Sequence, residues 1–233
     1  MKNPGLLIGV LFWLALLADC LLIINAQNEY RIFTKTLLVP ILLISVYQES
    51  KDTKHTRSKM LLNIALLCCF LGDFFLLFDS STNSGYFIVG LCSFFIAHLF
   101  FIAFFYRLKP FSERYRLYNF MTGVIILAYV MVLLFFIWGD VTRLGLQIPV
   151  TAYAIVLAFM LLTAFNALNN RSVKRLTKQY FIPGVILFVL SDSVLAFNKF
   201  SFFKFNYSGV VVMILYASAL FLLTNGVLRF LKK

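Results

Sequence analysis

The chain has 233 residues, of which 62% are hydrophobic and 13% charged, with a mean hydropathy of +0.92; soluble domains run at about 45–50% apolar and 25% charged. That composition excludes a soluble globular domain and predicts an all-α, polytopic membrane helix bundle, in which lipid is the solvent of most side chains. The net charge of +12 does not point to nucleic acid, because the Lys and Arg residues sit in short connections between apolar runs and not on a basic amphipathic face.

A hydrocarbon core about 30 Å thick takes about 20 helical residues per crossing. Apolar runs broken by charged or Gly/Pro/Asn-rich stretches predict helices at 5–24, 32–46, 60–78, 85–106, 118–138, 146–166, 180–197 and 207–230. Eight spans consume most of the chain, leaving one integral membrane domain over 1–233 and no room for a soluble one. The first run follows Lys2 and is too long for a signal peptide. Asp19 stands directly before Cys20, where a lipoprotein cleavage site needs a small residue, so this run reads as the first helix. The second run is the shortest of the eight. Cys20, Cys68, Cys69 and Cys92 all lie in apolar runs without CxxC spacing and read as small buried hydrophobes. With only His55 and His98 in the chain, a three-histidine zinc site is impossible, and neither a metal nor a cofactor is expected.

Counting Lys and Arg in alternate connections assigns 16 to the side that holds both termini and 5, namely Arg31, Lys35, Arg143, Lys199 and Lys204, to the other. The positive-inside rule then places both termini in the cytoplasm, with a bacterial inner (plasma) membrane as the expected location. An internal echo fits the same count. Leu71–Phe78, with Gly72-Asp73, matches Leu190–Phe197, with Ser191-Asp192, at four of eight positions and an offset of 119 residues, which also carries Gly90 to Gly209. The pattern is that of a parallel four-plus-four repeat, an arrangement whose interface commonly holds the site; chance similarity between Leu/Phe-rich helices is the alternative.

A charged side chain at the centre of a membrane helix costs about 2.5–3.5 kcal/mol or more, so each must be paired, hydrated or in use. Asp19, Asp73 and Asp192 each lie five residues before the predicted outer end of the first, third and seventh helices, and Lys35 enters the second from the same side. Four ionisable groups at one depth predict a single polar pocket opening outward. Lys35 is the simplest partner for Asp19. His98, deeper in the fourth helix, is either the floor of that pocket or a hydrogen-bonded packing residue. Tyr153 and Tyr216 reach in from the same side and could hydrogen-bond a carboxylate, although membrane tyrosines more often anchor at the interface. Asp79, Asp140 and Lys204 fall at helix ends or in loops, where solvation suffices.

Gly72-Asp73-x-x-Leu76, Phe95-x-Ala97-His98, Lys35 with Pro40, and above all Ser191-Asp192-Ser193-x-Leu195-Ala196-Phe197-Asn198-Lys199-Phe200 resemble the YhhN-type lysoplasmalogenase family over nearly the whole chain. The last helix departs from the family, which tends to have paired tyrosines followed by a glutamine; here Leu215-Tyr216 leads into Ala217-Ser218-Ala219. The resemblance implies an ether hydrolase that acts on a lysophospholipid in the bilayer. It would cleave the vinyl ether of lysoplasmalogens to a fatty aldehyde and a glycerophospho-base such as glycerophosphoethanolamine or glycerophosphocholine, with Asp73 and Asp192 as the catalytic pair. Protonating the vinyl carbon creates an oxocarbenium ion, and water then adds to give a hemiacetal that collapses. Two carboxyl groups in a low dielectric suit this chemistry, since like charges at close range keep one of them protonated; glycoside hydrolysis divides the labour in a similar way. Lys35 and Lys199 are candidates for the substrate phosphate, with snorkelling to lipid headgroups as the plainer role. The rival class is a proton-coupled transporter or lipid flippase using the same carboxylates, against which stands the lack of Gly/Pro-broken helices in matching halves. A non-catalytic scaffold would leave the outer-side carboxylates unexplained.

Overall fold

The computed structural model describes residues 4–51, 53–79, 85–200 and 206–233, and these are all-helical apart from their connections. Lys2 and Lys204, both counted in the charge asymmetry, lie outside the described residues. The helices are α1 (Pro4–Ile24), α2 (Arg31–Glu49), α3 (Thr56–Leu77), α4 (Gly85–Leu108), α5 (Arg116–Arg143), α6 (Gln147–Asn166), the short α7 (Lys174–Leu176), α8 (Ile182–Phe200) and α9 (Ser208–Leu231). A π-helical turn over Thr177–Phe181 joins α7 to α8, so Lys174–Phe200 forms one continuous span. Among the described residues eight helices are long and apolar enough to cross a membrane, and each coincides with one of the eight predicted runs.

Several helix boundaries differ from the predicted ones. The second helix begins at Arg31, because that charge is paired inside the structure and does not have to stay in a loop. The fifth continues to Arg143, taking Asp140 into its last turn.

The chain divides into two compact units, Met1–Phe101 with Val227–Lys233, and Ile102–Gly226. In the first unit α1 packs on α2 and α2 on α3. The approach of α3 to α4 depends on Gly72, where a Cβ would stand 2.6 Å from the Phe94 ring. Absence of a side chain there lets two membrane helices come within van der Waals reach, as small residues do in lipid, where no hydrophobic force drives helices together. The glycine of the Gly72-Asp73 motif is thus a packing residue beside a charged one. Connection 50–55 is tied to the end of α9. The Thr53 hydroxyl donates to the Leu231 carbonyl at 2.9 Å, and the His55 and Phe230 rings lie 4.7 Å apart.

In the second unit α5, α6 and α8 pack on one another. Phe104 and Phe105 at the end of α4 meet Phe181 of the π turn edge-on, with all three fully buried and centroids 5.5 Å apart. Two asparagines close the end of α4. Asn166 donates to the Lys109 carbonyl and Asn170 to that of Leu108, each at 2.7 Å, supplying donors to groups that a helix terminus leaves without intrahelical partners.

Candidate functional site

In the first unit the polar residues gather on one face of α2. Arg31, Thr34 and Lys35 stand at positions i, i+3 and i+4, which a 3.6-residue repeat brings together. Asp19 of α1 is completely buried and is held three ways: Arg31 donates from Nε to Oδ1 and from Nη2 to Oδ2, both at 3.2 Å, and the Thr34 hydroxyl donates to Oδ1 at 2.9 Å. Lys35, also buried, places Nζ 3.3 Å from Oδ1 of Asp73 on α3. The expectation that Lys35 pairs with Asp19 is therefore corrected. Arg31 takes Asp19 because its fork matches a carboxylate with two parallel hydrogen bonds, and Lys35, one turn further along, is left for Asp73. The α2 helix thus supplies one cation to each neighbour. His98 is fully buried in α4, in the same unit.

The second unit holds Asp192 on α8. Its Oδ2 accepts a hydrogen bond from the Tyr153 hydroxyl of α6 at 2.7 Å, so of the two tyrosines singled out from sequence, Tyr153 reaches a carboxylate. Tyr216 of α9 is buried and packs edge-on against Phe188, centroids 5.5 Å apart. Next to Asp192, Ser193 lies 2.6 Å from the Tyr129 hydroxyl of α5, and its own Oγ donates to the Val189 carbonyl at 2.7 Å. A serine has one proton to give, and that bond uses it, so Tyr129 is the donor to Ser193. On the other side, Ser191 donates to the Val212 carbonyl of α9 at 3.0 Å. The Ser191-Asp192-Ser193 triplet is accordingly fixed against α9, α6 and α5. Lys199 stands half-buried in the last turn of α8.

Helix ends revise the expectation of equal depth. Asp19 lies five residues before the end of α1, Asp73 four before that of α3, and Asp192 eight before that of α8. At 1.5 Å per residue the last is about 12 Å from its helix end and Asp73 about 6 Å. The seventh helix runs on through Asn198 and Lys199 to Phe200, polar residues that hydropathy alone excludes.

Thr34 and Tyr129 were not singled out from sequence, Arg31 entered there only as an outer-side charge, and Ser193 only within the motif that carries the resemblance. Arg31 and Thr34 carry a readable signal, the i, i+3, i+4 spacing with Lys35. Tyr129 sits within the apolar run of α5, where a hydroxyl needs a partner.

Chemically, Asp73 and Asp192 are each a carboxyl group in an apolar helix fixed by a side chain from another helix, one by an ammonium and one by a phenol. Such groups can hold negative charge or exchange a proton without first reorganising. Among the described residues no three His, Cys, Asp or Glu side chains form a group that could hold a metal ion. No curated protein and no solved structure matches the chain. One family model does match, that of the YhhN family, over residues 30–227.

Proposed function

Starting from a chain that belongs to the YhhN family, we propose that this protein is a lysoplasmalogenase, which hydrolyses the vinyl ether of a lysoplasmalogen through Asp73 and Asp192. One carboxylic acid protonates the vinyl carbon, and the other, as carboxylate, stabilises the oxocarbenium ion and receives a proton from the attacking water. The resulting hemiacetal breaks to a fatty aldehyde and a glycerophospho-base. Water is the only co-reactant, and the proton given to carbon is recovered from it. The observation that carries this reading is the pair of anchored aspartates in the motif that occurs twice: Asp73 on Lys35 at 3.3 Å and Asp192 on Tyr153 at 2.7 Å. Preorganised groups of this kind suit a reaction whose transition state develops charge in a dry site. Lys199, and Lys35 beyond its pairing with Asp73, are the candidates for the substrate phosphate. On the charge asymmetry of the connections, this reading has both termini in the cytoplasm and the aspartate ends of α1, α3 and α8 on the outer side.

The test is mass spectrometry of a lysolipid panel before and after incubation with purified protein in detergent, with no gradient imposed. Asp73→Asn and Asp192→Asn keep the side-chain shape, and general acid–base catalysis is worth about 10²–10⁴-fold. Each variant should lose at least that much, and the double variant little more than the worse single one, because groups acting as a unit are not additive. A folded single variant that cleaves vinyl ether within tenfold of the parent defeats the two-carboxylate mechanism. A parent that consumes no lysolipid of any class defeats the hydrolase reading and favours a carrier.

A further inference from the structure

A second polar feature lies in the first unit at the opposite end of α2 from Lys35, 14 residues along the helix and so about 21 Å away at 1.5 Å per residue. There the end of α2, residues Ser50, Lys51 and Thr53 to His55, and the end of α9 line a half-open cavity of about 490 Å³, within the size range of small-molecule sites. Among the described residues four lysines line it, Lys51, Lys54, Lys232 and Lys233, with one acidic side chain, Glu49. Glu49 is already engaged through both oxygens: Oε1 accepts from Ser45 at 3.3 Å and Oε2 is paired with Lys232. No described acidic side chain forms an ion pair with Lys51 or Lys54, while Asp52 between them in sequence lies outside the described residues.

The cavity has a fixed wall. Thr53 bonds the end of α9, His55 stacks on Phe230, and Lys59 holds the Ser50 carbonyl at 3.0 Å from the opposite side of the turn. Excess positive charge around a preformed concavity selects an anion, and the ammonium groups suit phosphate oxygens as point charges. Its place at the ends of two bilayer-spanning helices sets it at headgroup level. Tyr47, exposed on α2 with Lys51 5.6 Å above its ring, is a residue of the interfacial belt.

We propose that this cavity binds the headgroup phosphate of an anionic phospholipid, separately from any substrate at the aspartates. The test uses the full chain in neutral detergent, with phosphatidylglycerol or phosphatidylcholine supplied in mixed micelles and bound lipid counted by native mass spectrometry. Phosphatidylglycerol should be retained at least tenfold better than phosphatidylcholine, and Lys51→Gln/Lys54→Gln should abolish that preference. Lys174→Gln/Lys178→Gln, which removes two exposed lysines elsewhere, should leave it intact. Because Lys51 and Lys54 are exposed, the variant should melt at the parental temperature, and charge reversal in Lys54→Glu gives a second reading of the same site. Equal retention of the two lipids, or full retention of phosphatidylglycerol by the Lys51/Lys54 variant, overturns the proposal. Millimolar inorganic phosphate that raises the melting temperature while no phosphatidylglycerol is retained overturns the lipid assignment in favour of a soluble phosphate ester.

Discussion

Replacing Lys35 by methionine should strongly destabilise the first unit, and removing the charge of Asp73 as well should reverse much of the damage. The two side chains are 9% and 2% exposed and their charged atoms 3.3 Å apart. Coulomb's law at an effective dielectric constant of about 20 gives an attraction on the order of 5 kcal/mol at that distance. That attraction is opposed by the cost of burying both ions, so the pair itself adds little net stability, whereas breaking it by removing one partner typically costs about 3–5 kcal/mol. In Lys35→Met, the buried Asp73 keeps its charge without the ammonium that faces it or takes up a proton, and either outcome weakens the fold. At about 2–4 °C per kcal/mol for a chain of this size, the melting temperature should fall by about 10 °C. The Lys35→Met/Asp73→Asn double variant should recover at least half of that fall, having no buried ion left to strand. The assay is thermal unfolding of the detergent-purified protein followed by intrinsic fluorescence. A single variant that melts within 2 °C of the parent, by the same conversion less than about 1 kcal/mol, would show that the ion pair is not a buried unit. So would a double variant no more stable than the single one.

Asp19→Asn should be milder than Lys35→Met in melting temperature, because the Arg31 it strands is 18% exposed and can turn toward water or headgroups; a drop as large as that of Lys35→Met would contradict this. Hydrolysis by Asp19→Asn should stay within tenfold of the parent, measured per folded molecule. For the Tyr129–Ser193 bond, a double-mutant cycle of Tyr129→Phe and Ser193→Ala should give a coupling of about 0.5–1.5 kcal/mol, and strict additivity would mean that the two hydroxyls do not interact. Hydrolysis should persist in strong chelator, a prediction motivated by the two histidines of the chain; loss in chelator with recovery on adding zinc would overturn it.

All eight spans were legible in the sequence because a helix surrounded by lipid is apolar on every face, and a sliding count of apolar residues reports that directly. Helix ends were less legible wherever a polar residue is satisfied inside the protein. Arg31 is an example: a guanidinium before an apolar run reads as a loop residue, and it becomes the first residue of α2 only because Asp19 is there to receive it. Lys199 at the end of α8 belongs to the same class. The aspartates themselves stood out, since a carboxylate in an apolar run has no plain reason to be there. Their partners did not, because partnership is decided between helices. Choosing Arg31 over Lys35 for Asp19 requires knowing that α2 turns both cations to one face, with α1 and α3 packed against it. Tyr129 escaped for the opposite reason, being one more aromatic among many in a chain that is 18% Phe, Trp and Tyr.

The two cations on α2 bear on how the protein enters the membrane. Among the eight spans α2 is the least apolar, and it carries Arg31 and Lys35; α1 and α3 each bring one buried aspartate. On the insertion scale a charge at the helix centre opposes partition of its own segment by about 2.5–3.5 kcal/mol, and charges near a helix end, such as Arg31 and Asp73, oppose it by less. Taken singly, α2 is a poor candidate for release from the translocation machinery into lipid, whereas α1, α2 and α3 together form an assembly with its charges matched. The charges of Asp19, Arg31, Lys35 and Asp73 are matched only when α1, α2 and α3 lie together, so the cost of burying each is offset by a neighbouring helix and not by its own.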